Sequence, residues 1–286
     1  MATVHPARLR RPRRTRPEFR SPVVRRLVTE HQLESVTVDG TGSAGRVTRA
    51  DVLALVAPRP ENHVVPLNRV QRLTGEHMLS SLQAAPHAFI AMEVDFERVD
   101  QARRAQKLTF LPFVARAVVD AIAAFPHVNA SVGDSELTVH RDVHLGIAVD
   151  LDHQGLIVPV VRAAQGLRLV ALSEEITGLA ARARAKRLTP DDVAGGTFTI
   201  TNPGPSGTMI SAPIIHQPQV AILSTDGVKR RPVVVALDSG GEAIVVHAVG
   251  MLGLSFDHRA FDGAYASAFL ERVRDIIEAR AWSTEL

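Results

Sequence analysis

The 286-residue sequence predicts an α/β fold, a two-layer sandwich of helices on a mixed β-sheet, preceded by a small helical module. Three observations predict it. From residue 68 onward, segments with apolar residues at helical spacing alternate irregularly with β-branched runs. Two of those runs, VHLGIAVD (143–150) and LIVPVVR (156–162), are apolar almost throughout, as continuous buried strands would be. A stretch of about forty residues carries helix signals of its own, near the lower size limit for independent folding, and APRPENHVVP, a linker by composition, follows it.

Taken in order, residues 1–20 hold seven arginines against the single acid Glu18, so the remaining chain sums to −3 although the whole carries +3. The basic character belongs to a proline-punctuated tail that is predicted to be disordered, which argues against a nucleic-acid partner. In 21–57, Ser21 is a good N-cap and Pro22 suits the first helical position. Val23, Val24, Leu27 and Val28 form the apolar stripe. GTGSAG is a glycine-rich loop that matches neither phosphate-binding pattern and reads as a turn. Thr48 caps a second helix, with Asp51 at the third helical position, close to a capping box. Residues 58–66 are the linker, and 67–286 the large domain.

There, 68–83 reads as an amphipathic helix with Leu73, His77, Met78 and Leu82 on one side, 87–96 as a strand, and 110–125 as an apolar helix stopped by Pro126. Helix 168–186 follows the two buried runs. GTFTIT (196–201), QVAILST (219–225) and 242–256 are three further strands, and 267–279 is the closing helix. No apolar run reaches the roughly 18 residues of a membrane span, and the N-terminus lacks the apolar core of a signal peptide. The absence of cysteine excludes disulfides, thiolate metal sites and thiol nucleophiles. A cytoplasmic protein fits these features.

Twelve histidines are candidates for chemistry. No pair has HExxH or similar spacing, which argues against a metal site. His258 stands apart, ending a long apolar strand in FDHRAFDG, where a side chain can be held rigidly beside a cleft. An imidazole titrates at about 6.5 and is available as a neutral general base. Asp262 is near enough to influence the ring or to pair with a neighbouring arginine, and Gly263 permits a tight turn or a close backbone approach. Taken alone, the string reads more safely as a satisfied core histidine than as a catalytic one.

The wider pattern decides between them. EHMLSSLQAAPHAFIAMEVD, FPHVNAS, VHLGIAVDLDHQGLIVPVVRAAQ, GGTFTITNPGPSGT, PIIHQPQVAIL and LSFDHRAFDG come in the order seen in the dihydrolipoyl acyltransferases of 2-oxo acid dehydrogenase complexes, which the chain resembles over nearly its whole length. SP, RRL, GTG and GR followed by TRADV resemble the peripheral subunit-binding domain of the same enzymes. The resemblance implies a chloramphenicol-acetyltransferase-like fold and a coenzyme-A-dependent acyl transfer. It makes His258 the base, Thr201 the hydroxyl donor to the oxyanion with Asn202 beside it, and Asp262 a positioning residue. Asn202 and Gly263 fall on the substrate side. It also implies a homotrimer, or a higher multiple of trimers, in which His258 of one subunit faces Thr201 of the next. Arg25, Arg26 and Arg46 match the positions that dock a partner enzyme, and contacts of that kind are salt-sensitive.

The sequence as given shows no lipoyl-lysine hairpin. The leading expectation is therefore a stand-alone, lipoyl-independent acyltransferase that moves an acyl group, acetyl first, from coenzyme A to a hydroxyl or thiol on a small or carrier-bound acceptor, as in tetronate-type natural-product pathways. The alternatives are the core acyltransferase of a 2-oxo acid dehydrogenase complex, passing acyl groups from dihydrolipoamide to coenzyme A, and a non-catalytic docking scaffold.

Overall fold

A computed structural model describes residues 21–33, 40–56, 62, 64–203 and 207–285. The predicted basic tail, most of the linker and three residues of the TFTITNPGPSGT stretch lie outside them. The chain divides into two compact units between Val65 and Pro66.

In the first unit, helix α1 spans Pro22–Glu30 and α2 spans Arg49–Val56. Val24, Val28, Val47 and Val52 form its core. Val23, predicted on the apolar stripe, is 54% exposed. Asp51 is the hub of the loop. Its carboxylate accepts from the Thr48 amide at 2.7 Å, the Thr41 amide at 3.1 Å and the Thr41 hydroxyl at 2.7 Å, while its own amide donates to the Thr48 hydroxyl at 3.3 Å. These donors, the Thr41 hydroxyl foremost, hold the Asp51 carboxyl far below the ordinary aspartate range. A Cβ on Gly40 would lie 2.3 Å from the Gly45 carbonyl oxygen, so the glycine-rich segment is a tight structural turn.

The second unit opens with α3 (Arg69–Ala84), whose Asn68 cap and Gln71 form a reciprocal capping box. Strand β1 (His87–Asp95), α4 (Glu97–Gln106) and α5 (Leu111–Ala124) follow. The short strands β2 (Ala130–Val132) and β3 (Leu137–Val139) pair as a hairpin. The two buried runs are not continuous strands. They break into β4 (Leu145–Ile147), β5 (Val149–Asp150), β6 (Leu156–Ile157) and β7 (Val160–Val161). Pro159 has no amide to donate to a ladder, and its carbonyl accepts from Ile147 instead. Helices α6 (Leu169–Arg184) and α7 (Pro190–Val193) lead to β8 (Phe198–Thr201), the long strands β9 (Ala221–Ala236) and β10 (Glu242–Asp257), and α8 (Gly263–Ala279).

The main sheet runs β1-β10-β9-β8-β4-β7. It is mixed: β8 is parallel to β4 and β9, and the other pairs are antiparallel. This is the predicted two-layer α/β sandwich. Phe198, Ile200, Leu223, Leu254 and Phe256 point into one core with α5, α6 and α8. By the two-residue alternation of strands, Thr199, Thr201, Ser224 and Ser255 lie on the opposite, polar face. Among the described residues, no helix is long and apolar enough to cross a membrane.

Candidate active site

His258 follows the last residue of β10. Its place is set by backbone bonds: the Asp257 amide donates to the Val220 carbonyl at 2.8 Å and the His258 amide to the Pro86 carbonyl at 3.1 Å. The loop is clamped from within. Asp257, only 1% exposed, accepts from the Arg259 amide at 3.0 Å, from the guanidinium Nε at 3.0 and 3.2 Å and from its Nη2 at 2.6 Å. These bonds raise the Arg259 pKa above its ordinary value. His258 is left exposed, with its ring 5.8 Å from that of Phe256.

The arginine that Asp262 was expected to pair with therefore belongs to Asp257. Asp262 instead caps α8, accepting from the Tyr265 amide at 2.9 Å. That cap fixes the turn between His258 and the helix. Gly263 is the first residue of α8. Its φ is not left-handed, and nothing lies within 4 Å of where a Cβ would stand, so neither the tight turn nor the close approach is present. Asp257 and Arg259 are what the sequence reading missed. The signal was available in the acid directly following a strand, two residues before an arginine.

Thr201 is the last residue of β8, two strands across the sheet from β10. It pairs with Ser224, which pairs with Gly253 of β10, five residues before His258. At the rise and spacing of strands, that register puts the two backbones roughly 20 Å apart. Within one chain, the two residues assigned to a single reacting centre do not meet. Asn202 is exposed beside a cavity of about 460 Å³ that also takes in Phe110, Asp226 and Lys229. In the first unit, Arg25, Arg26 and Arg46 are all exposed, the first two on one stretch of α1 with Thr29 and Glu30.

Comparison with known families agrees with this architecture. The catalytic-domain model of the 2-oxoacid dehydrogenases acyltransferase matches residues 59–283. The chain belongs to that family. A second model, the e3 binding domain, matches residues 19–53. Among curated relatives, the dihydrolipoyllysine-residue acetyltransferase component of the pyruvate dehydrogenase complex of Mycobacterium bovis is 36% identical, over 93% of this chain and 56% of its own length. The chain thus spans little more than half of that relative. The succinyltransferase component of the 2-oxoglutarate dehydrogenase complex of Haemophilus influenzae is 32% identical, over 90% of this chain and 70% of its own.

Among solved structures of the acyltransferases, the dihydrolipoamide acetyltransferase of Azotobacter vinelandii superposes with a TM-score of 0.72 at 32% identity, covering 78% of this chain and 94% of that one. Its crystallographic and enzymatic investigation addressed a serine, a histidine and an asparagine four residues after the histidine. Asp262 stands four residues after His258 here.

Proposed function

We propose that the chain is the acyltransferase core of a 2-oxo acid dehydrogenase complex, exchanging an acyl group, acetyl first, between dihydrolipoamide and coenzyme A. Coenzyme A is a substrate in this scheme. The His258 imidazole removes the thiol proton of coenzyme A, and the sulfur attacks the carbonyl of S-acyldihydrolipoamide. The Thr201 hydroxyl of a neighbouring copy donates to the resulting oxyanion, an interaction worth about 3 kcal/mol. The carbon–sulfur bond to dihydrolipoamide breaks, and the departing sulfur takes the proton back from the imidazolium. Asn202 and Gly263 lie on the substrate side, and the Asp262 cap with the Asp257–Arg259 clamp positions the histidine loop. Arg25, Arg26 and Arg46 dock a partner enzyme.

The observation that carries this reading is the register separation of Thr201 and His258. A thioester carbonyl needs both within hydrogen-bond reach, and a trimer in which each site takes one residue from each of two copies meets that need. The matched relatives named above are complex components, so they favour this reading over the stand-alone, lipoyl-independent one, and none of them is a natural-product enzyme.

Thiol release from acetyl-CoA, followed first with dihydrolipoamide and then with hydroxylated acceptors, tests the acceptor. Transfer to dihydrolipoamide is expected. Transfer to hydroxyl acceptors alone would revive the stand-alone enzyme, and no transfer at all would favour a scaffold. Co-assembling inactive His258→Ala chains with inactive Thr201→Ala chains tests the shared site. Mixed trimers should recover a fraction of wild-type activity, whereas a centre built within one chain would stay dead.

A further inference from the structure

Helix α3 and the loop before β9 enclose a second site. Ser81 donates its hydroxyl to the Ile215 carbonyl at 2.6 Å, and the Ile215 amide donates to the His87 Nε2 at 3.0 Å, so the loop carrying His216 is fastened on both sides. His77, one helical turn before Ser81, is left over. Its Nε2 is buried and has no hydrogen-bond partner among the described residues. The ring centroid of His216 lies 4.6 Å from that of His77, with the planes tilted by 48°. Both imidazoles line a cavity of about 430 Å³ whose other walls are mainly aliphatic, among them Leu73, Met78, Leu156 and Ile157. Its lining contains no Asp, Glu, Lys or Arg. A buried polar atom without a partner is rare in native structures and calls for a ligand or an ordered water. An apolar cavity with a few convergent polar groups is the usual form of a small-molecule site.

We propose that this cavity binds an aliphatic carboxylate, with the alkyl chain against the α3 and β6 side chains and the carboxylate on His77 and His216. The choice of head group follows from the pair. Burial first, and then the neighbouring His77, keeps His216 below the ordinary histidine range. A neutral alcohol gains one hydrogen bond there. An anion gains that bond and also favours the protonated form of the His216 imidazole beside it, so it is bound together with a proton. The site stands independently of the acyl-transfer reading, since it uses neither His258 nor Thr201.

Calorimetric titration of the full chain with octanoate, butanoate and octanol, near pH 6 and near pH 8, tests the proposal. Each buried methylene should tighten binding by about fourfold, so octanoate should bind at least about tenfold more tightly than butanoate. Octanoate should bind more tightly near pH 6, with proton uptake, while octanol shows no pH dependence. His77→Leu should lose about tenfold or more of the octanoate affinity near pH 6 and keep octanol. His77→Gln, the milder change, reports the same loss if the leucine variant does not fold. Equal affinity for the two acids, pH-independent octanoate binding, or variants that bind octanoate like the parent would overturn the site. So would the absence of saturable heat, as when a neighbouring copy covers the cavity.

Discussion

From Ala221 to Asp226 every residue of β9 is buried, whereas from Arg230 to Ala236 the same strand alternates between exposed and half-buried positions. β10 mirrors it, alternating from Glu242 to His247 and fully buried from Leu252 to Asp257. Composition does not separate the halves, since both are rich in Val, Ile and Leu. Neighbours do. The buried half lies between β1 and β8, while the other half extends beyond the last β1 pair, Asp95 with Val249, and has only its own partner strand. At the junction the register shifts between Val249 and Met251, and His247 and Arg230 are tied to Asp95 and Glu97, each pair at 2.5 Å. Beyond it, Val234, Ile244 and Val246 are 62%, 77% and 54% exposed. A two-stranded ribbon is marginal in water, and this one keeps an apolar surface uncovered. One half of the hairpin is packed between strands and leads into the histidine loop; the other leaves apolar side chains exposed.

The largest effect should come from the rigid half. His258→Ala should lower turnover by about 10²–10⁴-fold, as loss of a general base does, while the melting temperature stays put because the ring is exposed. Thr201→Ala should cost about 10²–10³-fold by removing an oxyanion donor. Steady-state rates with acetyl-CoA and dihydrolipoamide read both. Full activity in the threonine variant would transfer the donor role away from the end of β8, the strand that borders the buried half.

The exposed half is sharpened by charge. Ile244→Lys with Val246→Lys should change the stability of the isolated fold by no more than about 0.5 kcal/mol per site, as surface substitutions do, because neither side chain packs in the core. Lysines along an edge oppose pairing with another chain. Sedimentation should therefore show smaller species, and under the shared-site reading proposed above, activity should fall on dilution. An unchanged sedimentation coefficient would mean that the ribbon is not the covered surface.

The same contrast explains what could be read in advance. Most of the helix and strand order of the large domain was legible from periodicity, whereas His258 and Thr201 were singled out through the family resemblance of the stretches that carry them. The strand beyond Thr225 was not, because Asp226, Gly227 and Pro232 look like chain breakers. Pro232 is tolerated since the ribbon is edge on both sides and asks less of its amides. Helix α4 went unread because its sequence, ERVDQARRAQ, is almost wholly polar; Val99 and Asp100 are its only buried residues. Helix α8 begins four residues earlier than its apolar stripe suggests, since the Asp262 cap, not hydrophobicity, sets its start. The 20 Å scale of the Thr201–His258 separation follows from strand register, which depends on pairing partners that periodicity does not name.

The smallest effect is a pH dependence at the His258 end of the sheet. His140 and His144 lie there beside a cavity of about 470 Å³ that His216 also lines. Burial first, and then the neighbouring imidazole, lowers the pKa of His140 and of His216 from 6.5, with His144 and His77 respectively as the neighbours. A depressed folded-state value means that the unfolded chain binds protons first as pH falls. The stability from these two groups is therefore complete above 6.5 and is lost as pH drops below it towards their lowered folded-state values. Thermal melts from mildly alkaline to mildly acidic pH should show this decline, and His216→Gln should flatten it by removing one of the two depressed groups. The decline must also be insensitive to Ile244→Lys, because that residue sits on the uncovered ribbon and away from the cavity. If the lysine variant abolished the pH dependence, the titrating groups would lie at the interface between copies and not around the cavity.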